Sequence, residues 1–237
     1  MDIAIVGAGR AGQSFARALS ARGHRVRLVH HHELDAVDGA TLVLLATPDD
    51  AVGATAARLA PVEGRVVAHV AGSLTLEPLA GHPRVGSLHP LAVLSSPEVG
   101  ARRLLHATYA VAGDALVEEV VASLGGRALH VDDAHRALYH ATAVVAANHL
   151  VALLGHVERL AAAGGLELAD FLELSRQAFD DVIAVGPREA LTGPAARGDL
   201  ATIDAHLAAL PAEERDTYVA LAREALSLSE RRAGLPA

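Results

Sequence analysis

Along the first 131 residues, apolar positions fall into short, near-continuous runs with amphipathic stretches between them. The runs at 3–6, 26–29, 41–46, 65–70, 85–88, 108–112 and 127–131 predict strands buried on both faces. The stretches between them predict helices. One covers 13–22, with Phe15 and Leu19 one turn apart on its inner face, and a second covers 51–59. A third is capped by Asp114, turns Leu116, Val120, Val121 and Leu124 inward, and stops at Gly125 and Gly126. This alternation predicts an α/β fold built on a doubly wound, mostly parallel sheet.

From Asp132 the strand pattern ceases. Asp132 or Asp133 can cap a helix that reaches about Ala163 and stops at Gly164 and Gly165. At roughly thirty residues it would be about 45 Å long, enough to pack against more than one partner. A further helix is expected over 168–185, a loop over 191–198, a short helix capped by Asp199 and running to Leu210, and a last helix from Pro211 to near Arg232. The chain therefore reads as two domains, 1–131 and an all-helical 132–237.

The first strand runs directly into Gly7-Ala8-Gly9-Arg10-Ala11-Gly12, and a helix follows at once. Strand, G-x-G-x-x-G turn and helix form a dinucleotide-binding fingerprint. Gly7 allows the tight turn, Gly9 lets the backbone approach a pyrophosphate, and Gly12 lets helix and strand pack closely. Free N–H groups and the positive dipole end of the helix would face the phosphates, with Arg10 and Ala11 in its first turn.

Composition narrows the classes. The chain has 237 residues, 51% hydrophobic, 20% charged and only 3% aromatic, so its core is built from small aliphatic side chains. A net charge of −8 argues against nucleic acid as a partner. Cys is absent, which removes disulfides, thiolate nucleophiles and cysteine metal sites. The chain opens on its first strand and shows no uninterrupted apolar stretch of membrane-spanning length, so a soluble cytoplasmic protein is expected. The long apolar helix, rich in Ala and Leu, suggests more buried surface than one small helical domain needs, and so a homodimer through the second domain.

NAD enzymes of this fold carry Asp or Glu at the end of the second strand. Here Val29 is followed by His30, His31 and His32, and the first acid is Glu33. His30 and His31 can donate to a 2′-phosphate, which favours NADP over NAD. Three consecutive side chains cannot converge on one ion, so no metal is expected there.

Substrate is expected beyond the carboxyl ends of the strands. Thr47 and Pro48, with Asp49, would lie beside the cofactor, and Gly72, Ser73, His89 and Pro90 end neighbouring strands. His89 is a candidate proton donor or substrate ligand. On the long helix, α-helical spacing puts His140 and Asn148 on one side, both able to look into a cleft between domains, with His140 the proton donor ahead of His89 and Asn148 bonding the carbonyl or product hydroxyl. Thr192 and Arg197 could hold an anionic substrate, Arg by its planar fork; alternatively Arg197 pairs with Asp199, whose more natural role is a helix cap.

These residues also carry a resemblance. Gly7 to Gly12, Pro48-Asp49-Asp50, Gly86-Ser87-Leu88-His89-Pro90-Leu91, Leu138-Tyr139-His140-Ala141, Ala147-Asn148, and Leu191 to Pro194 with Ala196 to Asp199 resemble bacterial oxidoreductases with an N-terminal Rossmann domain and a C-terminal helical domain of unassigned function. That family is similar to a larger group containing ketopantoate reductases, pyrroline-5-carboxylate reductases and 3-hydroxyacid dehydrogenases. The resemblance implies an NADPH-dependent reductase of a small 2-oxo acid, ketopantoate or a relative. Ketopantoate reductases carry a catalytic Lys on this helix, with Asn at the fourth and eighth positions beyond it. Asn148 matches the last if His140 stands at the Lys position; Val144 does not match, and His140 is a replacement. Reduction of a cyclic imine, which arrives protonated, is the alternative. A non-catalytic NADP-binding sensor is the rival outside enzymes.

Overall fold

The computed structural model describes residues 1–30 and 32–232. Seven strands form one sheet in the order β2-β1-β3-β4-β5-β6-β7. They are β1 Asp2–Val6, β2 Arg25–Val29, β3 Leu42–Leu45, β4 Val66–His69, β5 Arg84–Pro90, β6 Thr108–Gly113 and β7 Arg127–His130. All neighbours pair in parallel except β5 and β6, which are antiparallel. The chain leaves β1 toward β2 on one side and returns to β3 on the other. This places a topological switch point beside the turn that follows β1, where ligands of such sheets bind.

The helices of the sheet-bearing part are α1 Arg10–Ala21, α2 Asp49–Ala56, α3 Pro97–Leu104 and α4 Leu116–Ser123. Phe15, Ala18 and Leu19 of α1 are buried against Ile3, Ile5 and Leu44 on one sheet face, while Val52 and Ala56 of α2 join Ala4, Val43 and Leu45 on the other. This two-sided burial is what the continuous apolar strands imply. Helix α3 is an addition to the expected elements. Ser96 caps it by accepting from Val99 N at 3.2 Å, and Pro97 starts it. It packs so tightly on α1 that a Cβ on Gly100 would lie 2.1 Å from Ser14 Oγ.

Beyond the sheet come α5 Arg136–Val144, a π-helical turn Val145–His149, α6 Leu150–Ala163, α7 Ala169–Val185, α8 Pro187–Ala190, α9 Gly193–Arg197, α10 Leu200–Ala209 and α11 Arg215–Arg232. The loop expected over 191–198 is largely α9: Thr192 precedes it and Pro194 sits in its first turn, where a missing N–H costs nothing. Asp199 caps α10 as expected, accepting from Thr202 N at 3.1 Å.

By compactness the chain divides into Met1–Ala147 and Asn148–Ala237. The sheet ends at His130, but α5 belongs to the first unit because Arg136 is buried there against Ser87 of β5. The second unit is held by a polar knot: His156 Nδ1 lies 2.6 Å from Glu214 Oε2, and Arg159 Nε donates to Glu214 Oε1 at 2.5 Å. Ala161 and Ile203 are its only buried apolar residues among those described.

Arg136–Ala163 forms a helix of 28 residues with an 18-residue window of mean hydropathy 1.5, long and apolar enough by length and composition to cross a bilayer. The expectation that no stretch reaches that length counted uninterrupted runs; a helix tolerates interruptions such as Asn148.

Candidate functional site

The turn after β1 is built so that only glycine fits at two of its positions. Gly7 has φ +115°, and a Cβ on it would lie 2.6 Å from the Ala46 carbonyl oxygen. A Cβ on Gly12 would stand 1.8 Å from the Gly7 carbonyl oxygen. Gly9 is different: nothing lies within 4 Å of its missing Cβ, so that side of the backbone is open to a ligand. Gly9 is also the N-cap of α1, with no side chain capping its free N–H groups and no acid in the first turn. An anion is the natural partner for such a helix end. Arg10 is exposed and Ala11 half-buried in that first turn.

A cleft of about 430 Å³ extends from this turn. Gly7, Ala8, Gly9 and His30 form one wall; Thr47 and Pro48, at the end of β3, belong to its floor. Ala51, Ala54 and Thr55 of α2, and Arg58 beyond its end, line it too. His30 is exposed, and its ring stacks on that of His32 at 5.6 Å. His31 lies outside the described residues.

A second pocket of about 270 Å³ opens next to the first and shares Ala46 and Thr47 with it. Asp49, Gly72, His89 and His140 line it. Gly72 brings the two histidines together. From the position of its missing Cβ, His89 Nε2 is 2.8 Å away and His140 Nδ1 is 2.6 Å away. Both ring nitrogens therefore face the space that a glycine leaves free. Ser73 donates to Asp49 Oδ2 at 2.5 Å, which fixes the carboxylate at the rim.

His89 Nδ1 lies 2.6 Å from the Tyr139 hydroxyl. Burial, then the neighbouring His140 and Arg136, lower the His89 pKa to about 4. Burial raises that of Tyr139 to about 12. At neutral pH the phenol keeps its proton and His89 is neutral, so the two share one hydrogen bond through Nδ1 while Nε2 faces Gly72. Behind the pair, Arg136 is only 1% exposed. It donates to Ser87 Oγ, while its Nε and Nη1 have no hydrogen-bond partner among the described residues. Desolvation also lowers the pKa of His69, which donates from Nε2 to Thr75 O at 3.0 Å.

Two buried polar atoms at this pocket have no partner among the described residues, Thr47 Oγ1 and His140 Nδ1. Such atoms are costly unless something completes them. Sequence reasoning placed His89, His140 and Thr47 here but passed over Tyr139 and Arg136. Their spacing to His140 (i−4, i−1) was the available signal, since 136, 139 and 140 share one helix face.

Asn148, Thr192 and Arg197 belong to the second unit, and all three are exposed. The placing of Asn148 on the side of His140 assumed unbroken α-helical spacing; the π turn Val145–His149 inserts an extra residue into that register. Arg197 Nη2 stands 3.9 Å from Asp199 Oδ2.

The fold is shared widely. A protein from Thermotoga maritima matches with a TM-score of 0.78 at 19% identity, over 98% of this chain and 99% of that one. A reductive aminase from Aspergillus terreus, solved with NADPH and ethyl-5-oxohexanoate, matches with a TM-score of 0.68 at 18% identity, over 97% and 98%. A 1-pyrroline-5-carboxylate reductase from Streptococcus pyogenes matches with a TM-score of 0.64 at 17% identity, over 96% and 98%. Among curated proteins, none matches the chain. Residues 104–225, more than half of the sequence, match the model of a family described as a domain of unknown function, DUF2520, and the chain belongs to that family.

Proposed function

We propose that the protein is an NADPH-dependent reductase of a polarised C=N or C=O bond in a small substrate. The observation that carries this reading is the shared wall at Ala46 and Thr47. A ligand lying along the glycine-turn cleft reaches directly into the pocket of His89 and His140. The residues present fit a dinucleotide: Gly9 is open, the first turn of α1 offers N–H groups, and Thr47 Oγ1 awaits a partner. When bound, NADPH supplies the hydride. The first turn of α1 would hold the pyrophosphate, with Thr47 and His30 as further contacts along the cleft. Two structural neighbours, a reductive aminase solved with NADPH and a pyrroline-5-carboxylate reductase, support the assignment.

Sequence reasoning placed a ketopantoate-like 2-oxo acid first and a cyclic imine second. The charges of the pocket favour the imine. Asp49 puts a carboxylate on its lining, and His89 stays neutral down to about pH 4. A ketone oxygen needs a proton as hydride arrives, whereas a protonated imine brings its own and is attracted by the carboxylate. His89 Nε2 and His140 Nδ1 orient the substrate over Gly72.

Following NADPH oxidation at 340 nm with a panel of cyclic imines, amine–ketone mixtures and 2-oxo acids tests this. Turnover of imines supports the reading. Preference for 2-oxo acids restores the ketopantoate-like assignment, and tight NADPH binding without oxidation of any of them supports the sensor. We propose further that the second unit is covered by a second copy of the chain, since α7 buries none of its residues and exposes Phe179, Val182 and Ile183.

A further inference from the structure

Arg58 follows α2 by two residues, and its N–H bonds to Thr55 O at 3.2 Å, so the helical turn carries on to it. Ala51, Ala54, Thr55 and Arg58 are spaced i, i+3, i+4 and i+7, the spacing of a single helix face. All four line the cleft that starts at the glycine turn, as does His30. The two alanines keep that wall low. Arg58 adds a permanent cation, and none of the described lining residues is an acid. The place after β2 where an NAD enzyme offers a carboxylate to the ribose diol is held by His30.

We propose that Arg58, together with His30, reads the 2′-phosphate of the dinucleotide, so that α2 as well as the end of β2 sets the preference for NADP over NAD. The proposal rests on the dinucleotide reading above and names the residue that decides which dinucleotide. A phosphomonoester needs charge as well as hydrogen bonds. Imidazole supplies charge only when protonated, whereas a guanidinium is always charged and presents a fork that matches phosphate oxygens. An acid in the same cleft would repel the group, and none is there among the described residues.

Isothermal titration of the full chain with adenosine 2′,5′-bisphosphate and with adenosine 5′-monophosphate reads this without any turnover. The wild type is expected to bind the bisphosphate roughly tenfold or more tightly than the monophosphate. Arg58→Ala should bring the two to within about threefold of each other by weakening the bisphosphate alone, and Arg58→Lys should fall between. Arg58 is exposed, so both variants should fold; matching melting curves confirm it. Full preference retained in Arg58→Ala, or no preference in the wild type, overturns the proposal while the dinucleotide reading stands. Failure of the wild type to bind either nucleotide overturns both.

Discussion

The Tyr139 hydroxyl lies 2.6 Å from His89 Nδ1, and this bond ties α5 to the end of β5 at the pocket. One turn earlier on α5, Arg136 reaches Ser87, two residues earlier on β5. The helix is thus pinned to the strand at two successive levels, and the upper pin orients an imidazole whose other nitrogen faces Gly72. Tyr139→Phe keeps the ring and removes the hydroxyl that bonds His89 Nδ1. His89 is then free to change tautomer or rotate. Hydride transfer in single turnover is expected to fall by roughly tenfold to a hundredfold, with NADPH affinity unchanged within about twofold. An unchanged rate would show that the pair has no part in the reaction.

The lowered pKa of His89 predicts how stability follows pH. In the unfolded chain the group titrates near 6.5; in the folded chain it titrates at about 4. Between those values the unfolded state binds the extra proton, so stability rises with pH across this window. It is fully present above about pH 6.5 and is lost as pH falls toward 4, by up to about 3 kcal/mol from this group. His69, lowered mainly by burial, acts in the same direction. Asp49 opposes the shift at both histidines, while Arg136 enforces it. Urea titrations at pH 7.5 and 4.5 should show this loss, and His89→Gln should flatten the slope. A slope unaltered in the variant would assign the pH dependence elsewhere.

Two glycines of the motif, Gly12 and Gly9, should respond oppositely to alanine. At Gly12 a methyl group would stand 1.8 Å from a backbone oxygen, so Gly12→Ala forces strand and helix apart and should cost about 3 kcal/mol or more. At Gly9 the φ of −73° suits any residue and nothing is near, so Gly9→Ala should leave the melting temperature unchanged. It should instead abolish NADPH binding, because the methyl group occupies the open side of the backbone. Thermal melts and NADPH fluorescence titrations of the two variants separate packing from ligand approach.

Much of this was legible because it depends on local sequence. The strands appear as continuous apolar runs since both faces are buried, and the turn appears as glycines since no Cβ fits at Gly7 or Gly12. Strand direction has no such signature, so the reversal of β6 beside β5 went unread. Helix α3 was hidden because Pro97 and Gly100 look like loop residues; one is a helix start and the other a close contact with Ser14. The π turn left no trace in residue type either, and it undercuts any placement of Asn148 by counting in fours. Tyr139 was overlooked because its importance comes from His89, fifty residues away in sequence.

The last prediction concerns the apolar helices of the second unit. Helix α7 runs for 17 residues without burying one, and Phe179 and Ile183, one turn apart, are 55% and 71% exposed. Leu150 and Val151 of α6 and Leu200 of α10 are exposed as well. An unpaired apolar surface of this extent is unfavourable in water and marks a contact. A lipid bilayer that took up the run Arg136–Ala163 would have to accept Glu158, Arg159 and His156, which is buried against Glu214 of another segment. A second copy of the chain can cover α7 while leaving those groups in place. Multi-angle light scattering of the wild type should therefore report about twice the 24.4 kDa chain mass. Ile183→Glu should shift the population toward monomer, whereas Glu173→Gln, a polar position on the same helix, should not. A wild-type monomer across micromolar concentrations would overturn the dimer.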